Sequence, residues 1–221
     1  MTAVTLKQAE LRLGDRLILS NINIRIADGQ SVAILGESGS GKSSLLNLLR
    51  AAAVDNSAWC PQHKGLVPSL SAFHNIYAGT LEQQRLFNNL LNFFWPQKQA
   101  LQRVREASEI LDINSLLERK TAQLSGGQQQ RVAIARALIQ TKAIFMGDEP
   151  LSAVDEFMAA KILQHIISQH QTTIVALHDV SLALQYCDRI IGIKEGEIAL
   201  DANSSDLTRS DLYFLYPHER I

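Results

Sequence analysis

Residues 36–43 read GESGSGKS, and this octapeptide limits the possible folds of the chain more strongly than any other segment. It fits the pattern G-x-x-x-x-G-K-[ST], it follows the apolar run Ser31–Leu35, and a leucine-rich helical pattern begins at Lys42. Glycines let successive backbone N–H groups point into a tight turn, and the helix adds its positive N-terminal end. A glycine-rich turn with a chance lysine would not need this strand and helix around it. The motif therefore predicts a polyphosphate-binding loop in an α/β fold.

This phosphate loop supplies the first candidate binding residues. Lys42 is expected to reach the β- and γ-phosphates of a nucleotide, and the Ser43 hydroxyl is expected to ligate Mg²⁺. The candidate nucleotide contacts in the loop are Gly36, Glu37, Ser38, Gly39, Ser40, Gly41, Lys42, Ser43 and Ser44.

Two acidic residues, Asp148 and Glu149, end a second apolar run. Ligands of parallel sheets bind at the carboxyl ends of the strands, so Asp148 is expected to face the Mg²⁺ bound at Ser43. Glu149 is then placed to polarise a water in line with the γ-phosphate. Solvated acids at an ordinary strand end are the alternative. The phosphate loop favours the catalytic interpretation.

Composition describes a globular protein with no general affinity for nucleic acid. The 221 residues are 46% hydrophobic and 19% charged, and the formal net charge is −1. The two distant cysteines, Cys60 and Cys187, do not form a disulfide scaffold and favour a reducing cytosol. The N-terminus lacks the pattern of a secretory signal, and no run reaches the roughly 20 apolar residues of a spanning helix. We therefore expect any membrane contact to go through a partner protein.

Hydrophobic periodicity predicts βα units that are interrupted by a helical segment. Thr2–Leu13 and Leu17–Ile26 alternate as antiparallel strands, whereas Pro68–Thr121 has a helical character throughout and no strand signal. The other predicted helices are Gln97–Asp112 within that segment, Gln128–Gln140 and Asp155–Gln169, and the other predicted strands are Ala143–Gly147, Thr172–Leu177 and Arg189–Lys194.

Residues 124–137 read LSGGQQQRVAIARA, and this segment resembles the signature of the ABC-transporter family. Residues 148–155, DEPLSAVD, resemble the acidic strand end and dimer-contacting loop of that family. Gln62 and His178 occupy the positions of its sensor glutamine and switch histidine. By themselves a histidine after a strand and an amide in a loop are ordinary surface residues. Because all the landmarks occur in order, the resemblance covers nearly the whole chain.

The resemblance implies one P-loop NTPase cassette over residues 1–221. Its expected parts are a mixed, mostly parallel core sheet, a trimmed antiparallel β lobe and an inserted α-helical subdomain at about 68–124. It further implies a head-to-tail dimer, in which Ser125, Gly127 and Gln128 of one copy close on the γ-phosphate held by Lys42 of the other. Gln62 is expected to contact Mg²⁺ or water and to act as a hinge, and His178 to bind the γ-phosphate.

The sequence departs from the family pattern in two places. The family usually stacks an aromatic ring on adenine before the phosphate loop, and here Leu13 is the residue at that position. The segment Ala51–Trp59 is shorter than the usual link to the sensor glutamine. We therefore expect an unusual edge to the antiparallel lobe and altered base recognition.

The helical insert is the surface by which this family contacts its membrane partner. Residues 66–79, LVPSLSAFHNIYAG, and the apolar stretch of residues 86–96 resemble phosphonate-importer cassettes. The resemblance implies transmembrane permease subunits, an extracytoplasmic substrate-binding protein and a location on the cytoplasmic face of the membrane. An export, lipoprotein-release or cell-division cassette is the alternative. A DNA-repair ATPase is more remote, because the insert is short and has no sustained heptad. The tail from Ser204 is expected to be too short for a regulatory domain.

Overall fold

The computed structural model describes residues 2–53, 56–84 and 86–218. The strands are β1 (Thr2–Leu13), β2 (Arg16–Ala27), β3 (Ser31–Leu35), β4 (Ser57–Cys60), β5 (Ile144–Asp148), β6 (Thr172–Ala176), β7 (Arg189–Lys194) and β8 (Glu197–Asn203). The α-helices are α1 (Lys42–Ala52), α2 (Ala72–Tyr77), α3 (Leu86–Phe94), α4 (Lys98–Glu109), α5 (Gly126–Leu138), α6 (Glu156–Gln169) and α7 (Val180–Tyr186). Short 3₁₀ helices span Ala78–Gln83, Asn114–Leu116, Thr121–Gln123, Ser204–Asp206 and Arg209–Leu215.

The main sheet has six strands in the order β4-β5-β6-β3-β7-β8, parallel except for β8. All residues of β3, β5 and β6 are buried, as continuous apolar runs require when helices cover both faces. Ile34 pairs with Ala176, and Asp148 pairs with the same alanine. The carboxyl ends of β3, β5 and β6 are therefore level, and the loops that follow them meet at one edge.

The antiparallel lobe is a two-stranded sheet of β1 and β2 that packs on α1. Ile22, Ile24 and Ile26 are buried, and the residues between them are exposed, as the predicted alternation requires. Their partners in this core include Leu45 and Leu49 of α1. The predicted shortened segment Ala51–Trp59 includes Val54 and Asp55, which lie outside the described residues.

The segment that we predicted to be helical throughout is only partly so. Its α-helices are short, 3₁₀ turns and loops separate them, and an isolated antiparallel bridge joins Ser71 to Lys120. Helix α4 ends at Glu109 rather than at the predicted Asp112, because Asp112 has a positive φ of 51° that ends helical geometry. Its residues Ala100 and Val104 are buried.

Two strands and one α-helix were absent from the sequence prediction: β4, β8 and α7. Strand β4 has only four residues, and β8 is a sheet edge with alternating exposure, so neither gives a strong apolar signal. Helix α5 begins at Gly126, two residues before the predicted Gln128, because Ser125 caps it. A side chain on Gly127 would place its Cβ 2.7 Å from the carbonyl oxygen of Ala153, so this close approach requires glycine.

The two cysteines lie in the hydrophobic core. Cys60 and Cys187 are free and buried. Burial raises the pKa of each thiol to about 12, so both stay as neutral core residues.

Within residues 2–53, 56–84 and 86–218, no helix combines the length and apolarity needed to cross a membrane.

Candidate nucleotide site

The phosphate loop leaves the end of β3 and turns directly into α1. Gly36 has a φ of 149°, and a Cβ there would lie 2.3 Å from the carbonyl oxygen of Ile193. Gly41 holds the N-cap position of α1 with a φ of 114°, and it carries no side chain to cap the helix. The first N–H groups of α1 therefore point toward the loop without a side-chain cap, which is the arrangement that binds phosphate.

Lys42 is buried at the mouth of this loop, with 5% of its surface exposed. Its Nζ donates hydrogen bonds to the carbonyl oxygens of Gly36 at 2.7 Å and Glu37 at 3.1 Å. The same Nζ lies 3.9 Å from Oε1 of Glu149. A buried ammonium is stable only with such partners, so the loop carbonyls and Glu149 together stabilise the Lys42 cation.

Asp148 ends β5 and is buried beside the start of α1. Burial raises the pKa of its carboxyl above the usual value, and a hydrogen bond with Ser43 opposes this. Within residues 2–53, 56–84 and 86–218, its Oδ1 has no hydrogen-bond partner. A buried carboxylate oxygen without a donor is costly, so the site favours a cation at this position.

Glu149 is the point on which three predicted residues converge. Its Oε1 lies 2.6 Å from Nε2 of His178, and its Oε2 accepts a hydrogen bond from Nε2 of Gln62 at 3.0 Å. Lys42 is the third neighbour. Gln62 follows β4 and His178 follows β6, the two strands that flank β5 in the sheet. Lys42 follows β3, which lies next to β6 on the far side from β5. The topology therefore assembles residues that are distant in sequence around one carboxylate.

The backbone of Glu149 is itself unusual, since its φ is 50°. Left-handed geometry in a residue other than glycine costs about 1–3 kcal/mol, and such residues cluster at functional sites. Its N–H donates to the carbonyl oxygen of Ala176 at 3.2 Å. The turn is thus anchored to β6, with the carboxylate between His178 and Gln62.

The loop after β4 is tied to helix α5 by two cations that sequence reasoning missed. Lys64 Nζ donates to the carbonyl oxygen of Gly126 at 2.9 Å. Arg136 donates through its guanidinium to the carbonyl oxygens of Gly65, at 2.7 Å, and of Lys64. The loop that contains Gln62 is therefore attached to α5 at its first residue, Gly126, and in its last turn, at Arg136. No short motif marks Lys64 or Arg136 for this role, because their partners are backbone atoms.

Ser125, Gly127 and Gln128 lie at a separate place, the N-terminus of α5. The Ser125 hydroxyl accepts from the Gln128 N–H at 3.3 Å, and Gln128 Oε1 accepts from the Ser125 N–H at 2.9 Å. This capping box gives hydrogen-bond acceptors to two backbone N–H groups at the helix start, and Ser125 and Gly126 remain exposed. The chain thus carries a second helix N-terminus that is accessible from solvent.

Comparison with known proteins identifies the family of this cassette. A family model described as ABC transporter matches residues 19–55 and 51–152. The phosphonates import ATP-binding protein PhnC 1 of Pseudomonas savastanoi pv. phaseolicola is 37% identical, over 96% of this chain and 91% of that protein. The chain belongs to the ABC transporter family. A phosphonates import ATP-binding protein of Halobacterium salinarum is 31% identical, over 94% of this chain and 81% of its own length.

Solved ABC transporter cassettes share the fold. A dimeric bacterial cassette superposes with a TM-score of 0.78 at 28% identity, over 91% of this chain and 98% of that one. The same coverage and identity, with a TM-score of 0.75, are found for a dimeric post-hydrolysis cassette bound to ADP and inorganic phosphate. The predicted fold class is confirmed, and the chain is an ATP-hydrolysing subunit of the ABC type.

The predicted base contact is exposed, and the phosphate loop has contacts that the motifs did not predict. Leu13, at the end of β1, is 65% exposed, and its role at the base remains a prediction. Tyr216 accepts a hydrogen bond from the Gly36 N–H at 3.1 Å, and the His218 N–H donates to Glu37 Oε1 at 2.7 Å. Nothing in the sequence of the tail indicated these contacts, which only the packing brings about.

Proposed function

We propose that this chain is the ATPase subunit of an importer for phosphonates or related oxyanions, with Glu149 as the residue that activates water. The observation that carries the proposal is the convergence of Gln62, His178 and Lys42 on the Glu149 carboxylate. The substrate class comes from the curated relatives, which are named as phosphonates import ATP-binding proteins.

In this proposal, the chain acts mainly by positioning and by charge. The N–H groups of the phosphate loop bind the polyphosphate, and Lys42 moves from its carbonyl partners to the β- and γ-phosphates. Glu149 accepts hydrogen-bond donors on both carboxylate oxygens, so its orientation is defined. It is then placed to polarise an attacking water, and His178 and Gln62 hold that carboxylate and the γ-phosphate in register.

The residues around Asp148 fit Mg²⁺. Hard oxygen ligands suit this ion, which keeps several waters and commonly takes one or two protein ligands together with substrate phosphates. The orphaned Oδ1 of Asp148 and the adjacent Ser43 hydroxyl provide such oxygens, and Gln62 is the third predicted ligand. Within the described part of the chain, no three His, Cys, Asp or Glu side chains form a metal cluster, and a magnesium–nucleotide site does not require one. When bound, Mg²⁺ supplies neutralisation of phosphate charge.

A second copy of the chain would complete the site. The N-terminus of α5 is exposed and carries Ser125, Gly127 and Gln128, which together offer an anion-binding end. One nucleotide does not require two such ends from the same chain. A head-to-tail pair would place this end against the γ-phosphate in the other copy, and the solved relatives at 28% identity are dimeric.

The helical segment is the proposed contact with the permease. Helix α3 and the residue after it expose a set of large apolar side chains, up to 88% for Leu86. The other members are Phe87, Leu90, Phe93, Phe94 and Trp95. An apolar patch of this kind on a soluble domain marks an interaction site. The permease, an extracytoplasmic binding protein and a position on the cytoplasmic membrane face complete the proposed assembly.

The test is reconstitution of the chain with its permease and binding protein in vesicles. Phosphonates should stimulate ATP hydrolysis several-fold and accumulate inside, and the Glu149→Gln complex is the control for background. Stimulation by lipoprotein or by an exported substrate, with no response to phosphonates and related oxyanions, would contradict the proposed substrate class. The ATPase assignment would remain.

A further inference from the structure

The tail after β8 is a packed element. Its 3₁₀ helix Arg209–Leu215 begins with a capping box, in which Asp211 accepts from the N–H and hydroxyl of Thr208. Leu212, Leu215 and Tyr216 are buried. Leu215 fits against Gly192 of β7 so closely that a Cβ on this glycine would lie 2.7 Å from the leucine side chain. The tail is therefore fixed on β7, the strand next to β3.

This packing brings Tyr216 and His218 to the first two residues of the phosphate loop. Tyr216 Oη accepts from the N–H of Gly36 at 3.1 Å, in buried surroundings. The His218 N–H donates to Glu37 Oε1 at 2.7 Å. The carbonyl oxygens of the same two loop residues accept from Lys42 Nζ at 2.7 and 3.1 Å. Gly36 and Glu37 are thus held by the tail on one side and by Lys42 on the other.

We propose that Tyr216 is a positioning residue for nucleotide binding, which fixes the start of the phosphate loop from the C-terminal tail. The Gly36 N–H is a buried donor, and it would be left unsatisfied without the tyrosine hydroxyl. A loop whose N–H groups are already oriented loses less freedom when it closes on phosphate. Tyr216 therefore acts through the loop backbone. The proposal rests on the proposed role of this loop in ATP binding.

The matched pair of variants is Tyr216→Phe and Tyr213→Phe. Both remove one phenolic hydroxyl from the same tail, but Tyr213 is 53% exposed. This hydrogen bond contributes about 1 kcal/mol to ordering the loop, and ATP binding must supply that ordering in Tyr216→Phe. The Kd and KM for ATP should therefore rise by up to about fivefold. The loop binds ground state and transition state alike, so kcat at saturating ATP should change less than about twofold. Tyr213→Phe should match the wild type in both constants.

The measurements are ATP binding by titration calorimetry, steady-state ATPase kinetics and thermal unfolding without nucleotide. A Tyr216→Phe protein that binds ATP as the wild type does overturns the proposal. So does a lower Tm with KM unchanged, since that is the signature of a purely structural role. Lys42→Ala distinguishes a wrong role of the phosphate loop from a wrong role of Tyr216. If Lys42→Ala retains normal ATP binding, the loop assignment itself is wrong. If it loses binding while Tyr216→Phe is silent, only the role of Tyr216 is wrong.

A second pair keeps the test decisive if Tyr216→Phe fails to fold. Glu37→Ala removes the acceptor of the His218 N–H, whereas Glu37→Gln keeps an oxygen at that position. The alanine variant should raise the KM for ATP more than the glutamine variant does, because only glutamine still offers an acceptor to the tail. Equal KM values for both variants contradict anchoring of the loop by the tail.

Discussion

Glu149→Gln is the substitution that probes the site most directly. Glutamine keeps the size of the side chain and an oxygen that can accept from Gln62, so the turn and its packing should remain. It removes the negative charge 3.9 Å from Lys42 Nζ and the carboxylate partner of His178. Lys42 still has the carbonyl oxygens of Gly36 and Glu37, so it should remain in place to bind phosphate.

The expected magnitude follows from the role of a general base. Such a group contributes about 10²–10⁴-fold to the rate, which corresponds to about 2.7–5.4 kcal/mol of activation free energy. We expect kcat to fall by that factor while the Kd for ATP stays within about threefold, because binding depends on the loop. Since hydrolysis no longer separates the two copies, ATP should convert the variant to a stable dimer.

The assay is single-turnover phosphate release together with gel filtration in the presence of ATP and Mg²⁺. Glu109→Gln is the matched control, because Glu109 is exposed at the end of α4. This variant should hydrolyse ATP like the wild type. Phosphate release by Glu149→Gln at the wild-type rate would refute the assignment of Glu149. A slow variant that stays monomeric with ATP would instead refute the composite dimer site.

Three further substitutions test Asp148, the N-terminus of α5 and Leu13. Burial raises the pKa of Asp148, so the folded protein binds its proton more tightly than the unfolded chain, and stability falls as pH rises from about 4 through the raised value. Asp148→Asn should therefore raise the Tm of the nucleotide-free protein at pH 7 and abolish Mg²⁺-dependent hydrolysis; a lower Tm contradicts the sign. Ser125→Ala should lower the free energy of unfolding by about 1 kcal/mol through the lost helix cap and should also abolish the ATP-induced dimer. The control Ser71→Ala, which uncaps α2, should lower stability but leave the dimer intact. Unfolding measures the stability, and gel filtration measures the dimer. Leu13→Tyr should tighten ATP binding about two- to tenfold through stacking on the base and leave triphosphate binding unchanged, and an equal Kd for ATP would remove Leu13 from the base site.

The residues whose chemistry is local were predictable from sequence. The phosphate loop, the acidic pair and the serine–glycine corner are short segments in which spacing and glycine content set the backbone geometry. The boundaries were less predictable: α5 begins at Gly126 because Ser125 and Gln128 form a capping box, which overrides the poor helix propensity of two glycines. Strand β4 stayed hidden because four residues carry no periodicity, although it is the strand that leads to Gln62.

Contacts that join distant parts of the chain were beyond the sequence. The attachment of the Gln62 loop to α5 uses Lys64 and Arg136 as donors to backbone carbonyls. Any lysine or arginine can make such a bond, so no residue pattern reports it. The predicted continuous helical segment was wrong in part for a related reason, since the Ser71–Lys120 bridge depends on two segments meeting in space.

The sequence by itself determined which groups are present and the local geometry of each motif: a glycine loop for phosphate, a buried strand ending in two acids, and a capped helix with a serine at its start. Tertiary structure alone decided that Gln62, His178 and Lys42 meet at one carboxylate, and that a tyrosine from the tail contacts the first residue of the loop. The physical reason is the order of strands in the sheet. Parallel pairing aligns strand ends from remote parts of the chain, and short-range patterns do not contain that order.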